Sequence, residues 1–368
     1  MSAGGAEPGP ALAAVMARVA VTAEAVGPRF PLYAEPADGR WTTTGRGSWT
    51  GGFWAGLLWL RARYTGDAAD RRAAAACTAR LEPWVRADTA TRGLIFWYGT
   101  APAGDDTEAA ELQGLAARAV LSAYDRELGL VPWGDALGGP RLLARVDGVP
   151  GTVPLLAGAG PQGAAAAAAH LHRHLDLCLG EISGAPVPAL SFDAVAGWRP
   201  CADPPPGWSR GRAWLLLAVA DALLRPDLSP PGPAATRLDA AAELLAAELA
   251  AAGGESPAGG PVPAADAGRP DGPLDTSAAA ITAVALLKLA RVPGPRATGY
   301  AYRAEAILRR LTENHVTGPD SGRPPGMLLD GCYDAGKGPA VRHELVWGDF
   351  FLTLGLAAVH GVVDITRV

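Results

Sequence analysis

Lysine is almost missing from this chain: two of its 368 residues, Lys288 and Lys337, carry an ε-ammonium. Thirty-two basic side chains face 37 acidic ones, for a formal net charge of −5, and no basic run exists. A nucleic-acid partner is therefore not expected. Cysteine is scarce too. Cys77, Cys178, Cys201 and Cys332 show no paired metal spacing, so they read as buried free thiols and no metal is expected. No stretch of about eighteen apolar residues escapes charges and breakers, which argues against a membrane span. Met1–Pro10 lacks a basic segment followed by an apolar one, so no secretory signal is read and a cytoplasmic location is expected. These first ten residues are expected to be disordered. Convincing alternating strands are missing as well, although Pro186–Asp193 could form a short hairpin arm.

Abundance tells the rest. Apolar residues make up 49%, with 47 glycines and 33 prolines; the Ala, Gly, Pro and Arg excess has the look of a GC-rich genome. Helical spacing recurs along the chain. It predicts helices over Ala11–Ala25, Phe53–Tyr64, Ala68–Arg86, Asp106–Tyr124, Val153–Ala159, Gly163–Leu179, Arg210–Leu224, Pro233–Ala252, Thr276–Arg291, Gly299–Asn314 and Asp349–His360. Gly/Pro-rich loops separate them, including Gly253–Pro273. No fixed repeat period is visible, which argues against a solenoid. The expectation is one all-α domain over 1–368, a toroid of helical hairpins with a pocket at one end.

The segment Trp49–Asp67 is the most informative. Phe53, Leu57, Leu60 and Tyr64 mark a helix face, and Gly66 sits where a left-handed cap suits glycine. Gly51, Gly52 and Gly56 lie among Trp49, Phe53, Trp54 and Trp59. Small residues with flat indoles suit a helix mouth lining a sugar-sized pocket; an aromatic core plug fits the same composition.

Four segments in order resemble one family. They are Trp49–Asp67, Trp208–Trp214, Asp275–Ile281, and Leu328–Gly338 followed by Val346–Phe351. Together they are similar to the unsaturated glucuronyl hydrolases, glycoside hydrolase family 88, over roughly residues 30–362. The resemblance implies an (α/α)6 barrel and no cofactor. It also implies a small-molecule or oligosaccharide substrate with an unsaturated uronic acid at its non-reducing end. One carboxyl protonates the vinyl ether and then helps water add to the neighbouring carbon, so it must work as acid and base.

Site residues follow from the resemblance one by one. Asp147 is the candidate acid/base, opening Asp147–Leu156, whose Pro154-Leu155-Leu156 matches the family motif. As an Asp-Gly pair it also reads as a turn. Where the family carries His-Asp-x-Gly, this chain has Ala90-Thr91-Arg92-Gly93, so Asp88 is the nearest substitute carboxyl. Trp49, Trp54 and Trp97 are candidate pocket aromatics. Arg210 and Trp214 share a helix face, and Arg210 is expected to clamp a substrate carboxylate, with an ion pair to Asp275 or Asp349 as the other reading. Arg199 stands near an expected histidine, and Asp334, beside Tyr333, replaces another. His343 and Glu344 complete the candidate substrate contacts. Asp275 and Asp349 read as helix caps. His170, His172 and His174 read as packing or surface groups. Two other classes stay open: altered chemistry on the same barrel, and a non-catalytic sugar-binding or scaffold protein. A lyase using Tyr98 or Tyr333 with Arg199 or His343 is a more distant possibility.

Overall fold

The computed structural model describes residues 9–179, 186–230, 232–251 and 262–368. The chain is mostly helical. Six of its helical segments are buried nearly all round: α2 (Gly51–Thr65), α4 (Tyr98–Thr100, continuing the π turn Gly93–Trp97), α6 (Thr152–Ala157), α8 (Ser209–Leu223), α10 (Thr276–Leu289) and α12 (Val346–Val359). Each packs on the next in chain order, and α12 returns to pack on α2, so the contacts close a cycle. The six others lie outside that cycle: α1 (Pro10–Val26), α3 (Ala68–Ala79), α5 (Thr107–Ser122), α7 (Pro161–Leu179), α9 (Pro233–Ala251) and α11 (Ala297–Asn314). A helix apolar on every side must be buried on every side, which is the sequence signature of the inner set.

Most predicted helices are present within a few residues. Asp106 caps α5, Asp275 caps α10, and Gly66 ends α2 at φ 68°. Three expectations change. The helix read over Ala68–Arg86 stops at Ala79, and Glu82–Arg86 is a separate 3-10 turn, since Pro83 cannot continue the ladder. Asp349 is not a cap: α12 starts at Val346, placing Asp349 within the first turn. The inner segment at 93–100 had no predicted counterpart, because its π turn carries no 3.6-residue period. The segment expected to be disordered falls largely outside the described residues, and Pro10 already opens α1. Much of Gly253–Pro273 also lies outside them.

Two small sheets were not foreseen. β1 (Phe30–Ala34), β2 (Trp41–Thr44), β6 (Gly331–Cys332) and β7 (Val341–Leu345) form one, in the order β2-β1-β7-β6. β3 (Leu143–Arg145), β4 (Ala189–Asp193) and β5 (Gly197–Pro200) form the other. The suggested arm is real here: β4 and β5 are antiparallel neighbours.

The glycines of α2 explain the tight inner packing. A Cβ on Gly52 would stand 2.2 Å from the Ile95 carbonyl oxygen, and one on Gly56 would stand 2.4 Å from that of Tyr98. These glycines let two backbones touch; they do not line a sugar pocket. The inner segments also meet at their starts. A Cβ on Gly93 would meet the Thr152 nitrogen at 2.1 Å, and one on Gly211 would meet Val146 at 3.2 Å. The N-terminal ends of the inner helices therefore gather at one end of the molecule, with the interhelical loops above them.

Candidate active site

At that end, aromatic rings and two arginines form a connected cluster. Trp49, half-buried just before α2, lies 4.9 Å from the Trp347 ring and 6.2 Å from that of Tyr333. Its Nε1 donates to the Tyr333 hydroxyl at 3.4 Å. The Arg210 guanidinium sits 5.6 Å from Trp347 and 5.0 Å from Trp208. Arg145 continues the chain, 5.8 Å from Trp208 and 5.1 Å from Trp133. Asp147, on the short 3-10 turn Val146–Gly148, accepts a hydrogen bond from Arg145 Nε at 2.8 Å.

Arg145 and Trp133 were not singled out in the sequence, and Trp208 was read only as the start of the Trp208–Trp214 segment. Arg145 escaped because β3 has three residues and no family motif covers it.

Buried His170 steadies this turn. Its Nδ1 accepts from the Val131 N–H at 3.0 Å, so Nε2 bears the proton and faces the Gly148 carbonyl at 3.4 Å. Burial, then the neighbouring His174, pushes the His170 imidazolium well below its usual range, and the contact to Gly148 opposes this. His170 and His174 are packing groups, as read.

The two predicted arginines do not act as expected. Arg210 is buried and committed internally: Nη1 donates to Asp275 and, at 2.7 Å, to the Cys332 carbonyl, while Nη2 donates to the Tyr333 carbonyl at 2.8 Å. It ties α8 to α10 and to the tyrosine loop instead of reaching for a substrate. Arg199 is exposed on β5, opposite Ser191. The register places it on the same sheet face as Arg145, two strands away.

Other candidates scatter. Trp214 is a core residue, its ring nearly parallel to Phe53 with centroids 6.3 Å apart. Trp54 is buried and turned to a separate cavity, shared with Arg18, Trp41 and Asp349. Glu344 is fully buried, held by two hydrogen bonds from Arg18 of α1, one of them 2.8 Å from Nε to Oε1. It is a fastening between α1 and β7, not a substrate contact. Burial raises the Glu344 carboxyl, with Arg18 opposing. Burial, then Glu344, raises Asp349 well above its usual range.

His343 Nδ1 lies 2.8 Å from the Val341 carbonyl, and Nε2 lies 3.5 Å from Glu35. Asp334 is a turn residue whose Oδ1 accepts from Gly336 and Lys337 backbone N–H groups, each at 2.9 Å. Its burial would raise the carboxyl, but the N–H and ammonium of Lys337 and the Gly336 N–H hold it below the ordinary range. Trp97 is half-buried, and its Nε1 has no protein partner among the described residues.

Asp88, half-buried, accepts from Arg141 Nε at 2.8 Å, and among the contacts of the described residues none joins it to Asp147. Thr91, at the family's acidic position, is buried with its hydroxyl 2.9 Å from that of Thr89. The described residues hold no group of three or more His, Cys, Asp or Glu side chains placed to bind a metal. None of their helices is long and apolar enough to cross a membrane.

No protein-family model matches this chain, and no curated protein matches it. Solved structures do. The unsaturated glucuronyl hydrolase from Bacillus sp. GL1, described as responsible for degradation of glycosaminoglycan, superposes with a TM-score of 0.80 at 22% identity, covering 95% of this chain and 96% of that one. The unsaturated glucuronyl hydrolase from Streptococcus agalactiae gives 0.82 at 19% identity, covering 97% and 92%. One specific for heparin gives 0.80 at 19%, covering 96% and 98%. These are the enzymes that the four sequence segments resemble. At such identities the comparison establishes a shared fold.

Proposed function

We propose that this chain is a hydrolase of sugars ending in an unsaturated uronosyl residue, built on an (α/α)6 barrel, with Asp147 as its acid/base. One observation carries the reading: the Arg145–Asp147 pair, with Trp133 beside it, continues a run of contacts through Trp208, Arg210, Trp347, Tyr333 and Trp49 along the N-terminal ends of inner helices. Aromatic faces suit the apolar faces of a sugar ring. Helix N-termini carry partial positive charge, which suits an anionic sugar. The neighbouring enzymes act on such sugars, and one S. agalactiae variant was solved with dGlcA-GalNAc6S.

The chemistry needs one carboxyl in two states. Protonated Asp147 gives its proton to the vinyl carbon. Positive charge then develops on the adjacent ring carbon beside oxygen. Water adds there, and its proton returns to Asp147. The hemiketal opens to a ketone, and the hemiacetal left at the anomeric carbon releases the second sugar. No bond change requires a metal or an oxidant.

The test is product analysis in heavy water with unsaturated chondroitin, hyaluronan and gellan disaccharides. The reading expects a free second sugar and a keto acid with deuterium at the former vinyl carbon. Intact disaccharide in every case, with folded protein, would contradict it.

Thr91 favours a second reading. A buried threonine pair stands where the family carries an acid, so the barrel could retain sugar binding with altered chemistry or none. Binding of these disaccharides without turnover is the outcome that reading expects.

A further inference from the structure

Arg210 has the sequence context of a carboxylate clamp and no free fork, whereas Arg145 has the fork and no such context. Arg145 uses only Nε, on Asp147; among the described residues Nη1 and Nη2 have no partner. Its side chain is 27% exposed, enough for a ligand to reach. The guanidinium lies near two indole rings, at 5.1 Å from Trp133 and 5.8 Å from Trp208, whose faces favour a cation there. β3 pairs with β4 through Arg145 and Ala189, so the stem is anchored in a sheet. A planar fork held this way matches a carboxylate with two parallel hydrogen bonds.

We infer that Arg145 is the carboxylate receptor of this site, binding the uronate group through Nη1 and Nη2 while Nε holds Asp147. This rests on the hydrolase reading above and adds the residue that selects an acidic sugar over a neutral one. One guanidinium then sets both partners of the reaction. In an unsaturated uronate the carboxylate is bonded to a carbon of the double bond. Gripping it at Arg145 brings the vinyl group to the side of the guanidinium where Asp147 sits.

The test uses a ligand that cannot be consumed: saturated glucuronyl-N-acetylgalactosamine and its carboxyl methyl ester, with binding followed by tryptophan fluorescence. Wild type is expected to prefer the free acid by about tenfold to a hundredfold, the range for hydrogen bonds to a charged group. Arg145→Gln is expected to bind acid and ester alike. Arg145→Lys, which keeps the charge but loses the fork, is expected to fall between them and serves if the glutamine variant does not fold. If wild type prefers the acid and both variants keep that preference, Arg145 is not the receptor and the hydrolase reading survives. If wild type neither binds this ligand nor consumes the unsaturated disaccharides, the hydrolase reading fails and takes this inference with it.

Discussion

Thr89 and Thr91 hold their hydroxyls 2.9 Å apart in a part of the molecule closed to solvent. Two neutral groups there leave Asp147 as the carboxyl on which the proposed chemistry depends. Thr91→Asp places an acid within reach of the Thr89 hydroxyl. It is expected to speed loss of the enol-ether absorbance by about tenfold or more, the lower part of what a positioned acid contributes falling to a misaligned one. Burying the new carboxyl is expected to lower the melting temperature. A stable variant with an unchanged rate would show that this position is not where an acid is missing.

Arg210→Gln should be a folding lesion. The arginine joins Asp275 and two loop carbonyls in a buried network, and removing one member strands the other. Breaking such a pair costs about 3–5 kcal/mol, which urea unfolding would record as a lower midpoint. Asp275→Asn should show a comparable loss, and the double variant less than the sum. A higher KM with an unchanged midpoint would instead mark Arg210 as a substrate clamp.

Acid should destabilise the molecule through its buried histidines. Burial, opposed by the contact to the His170 carbonyl and aided by Arg173, lowers His174 from 6.5 to about 4. The folded state therefore needs the neutral ring. Its contribution is complete above pH 6.5 and is lost as pH falls toward and through 4. The loss amounts to about 3 kcal/mol at most. Denaturant midpoints measured across that window should fall in wild type and fall less in His174→Gln. Parallel curves would contradict the assignment.

Asp349 runs the other way. Burial first, and Glu344 second, raise its carboxyl well above the ordinary value, against the pull of Arg18 and the Leu328 backbone. The native state thus binds a proton that the unfolded chain has released. That stability is full at pH below the unfolded value and is lost as pH rises through the folded one. Asp349→Asn keeps the neutral shape and removes the titration. Its melting temperature should exceed that of wild type increasingly from mildly acid to mildly alkaline solution. A constant difference would contradict the sign.

The frame was more legible in the sequence than the site. Long amphipathic or all-apolar runs such as Gly163–Leu179 and Thr276–Arg291 carry their own periodicity, and caps such as Asp106, Asp275 and Gly66 punctuate them. The π turn at 93–97 does not repeat at helical spacing, and it went unread. Trp214, Arg210 and Glu344 were misplaced for one reason. Motif position shows that a residue stands near the starts of the inner helices, but its partners decide whether it faces a ligand. Arg210 meets Asp275 only through a contact 65 residues away, and Glu344 meets Arg18 across 326. Arg145 and Trp133 lay in segments too short or too irregular to attract notice, and it took the fold to set them beside Asp147.

In the proposed hydrolysis, Asp147, held by Arg145, moves the proton onto an unsaturated uronate. The most direct test follows the enol-ether ultraviolet absorbance of unsaturated chondroitin disaccharide with wild type and with Asp147→Asn. Decay is expected with wild type and a flat trace with the variant, whose melting temperature should stay close to that of wild type. Equal decay with both proteins would contradict this role for Asp147.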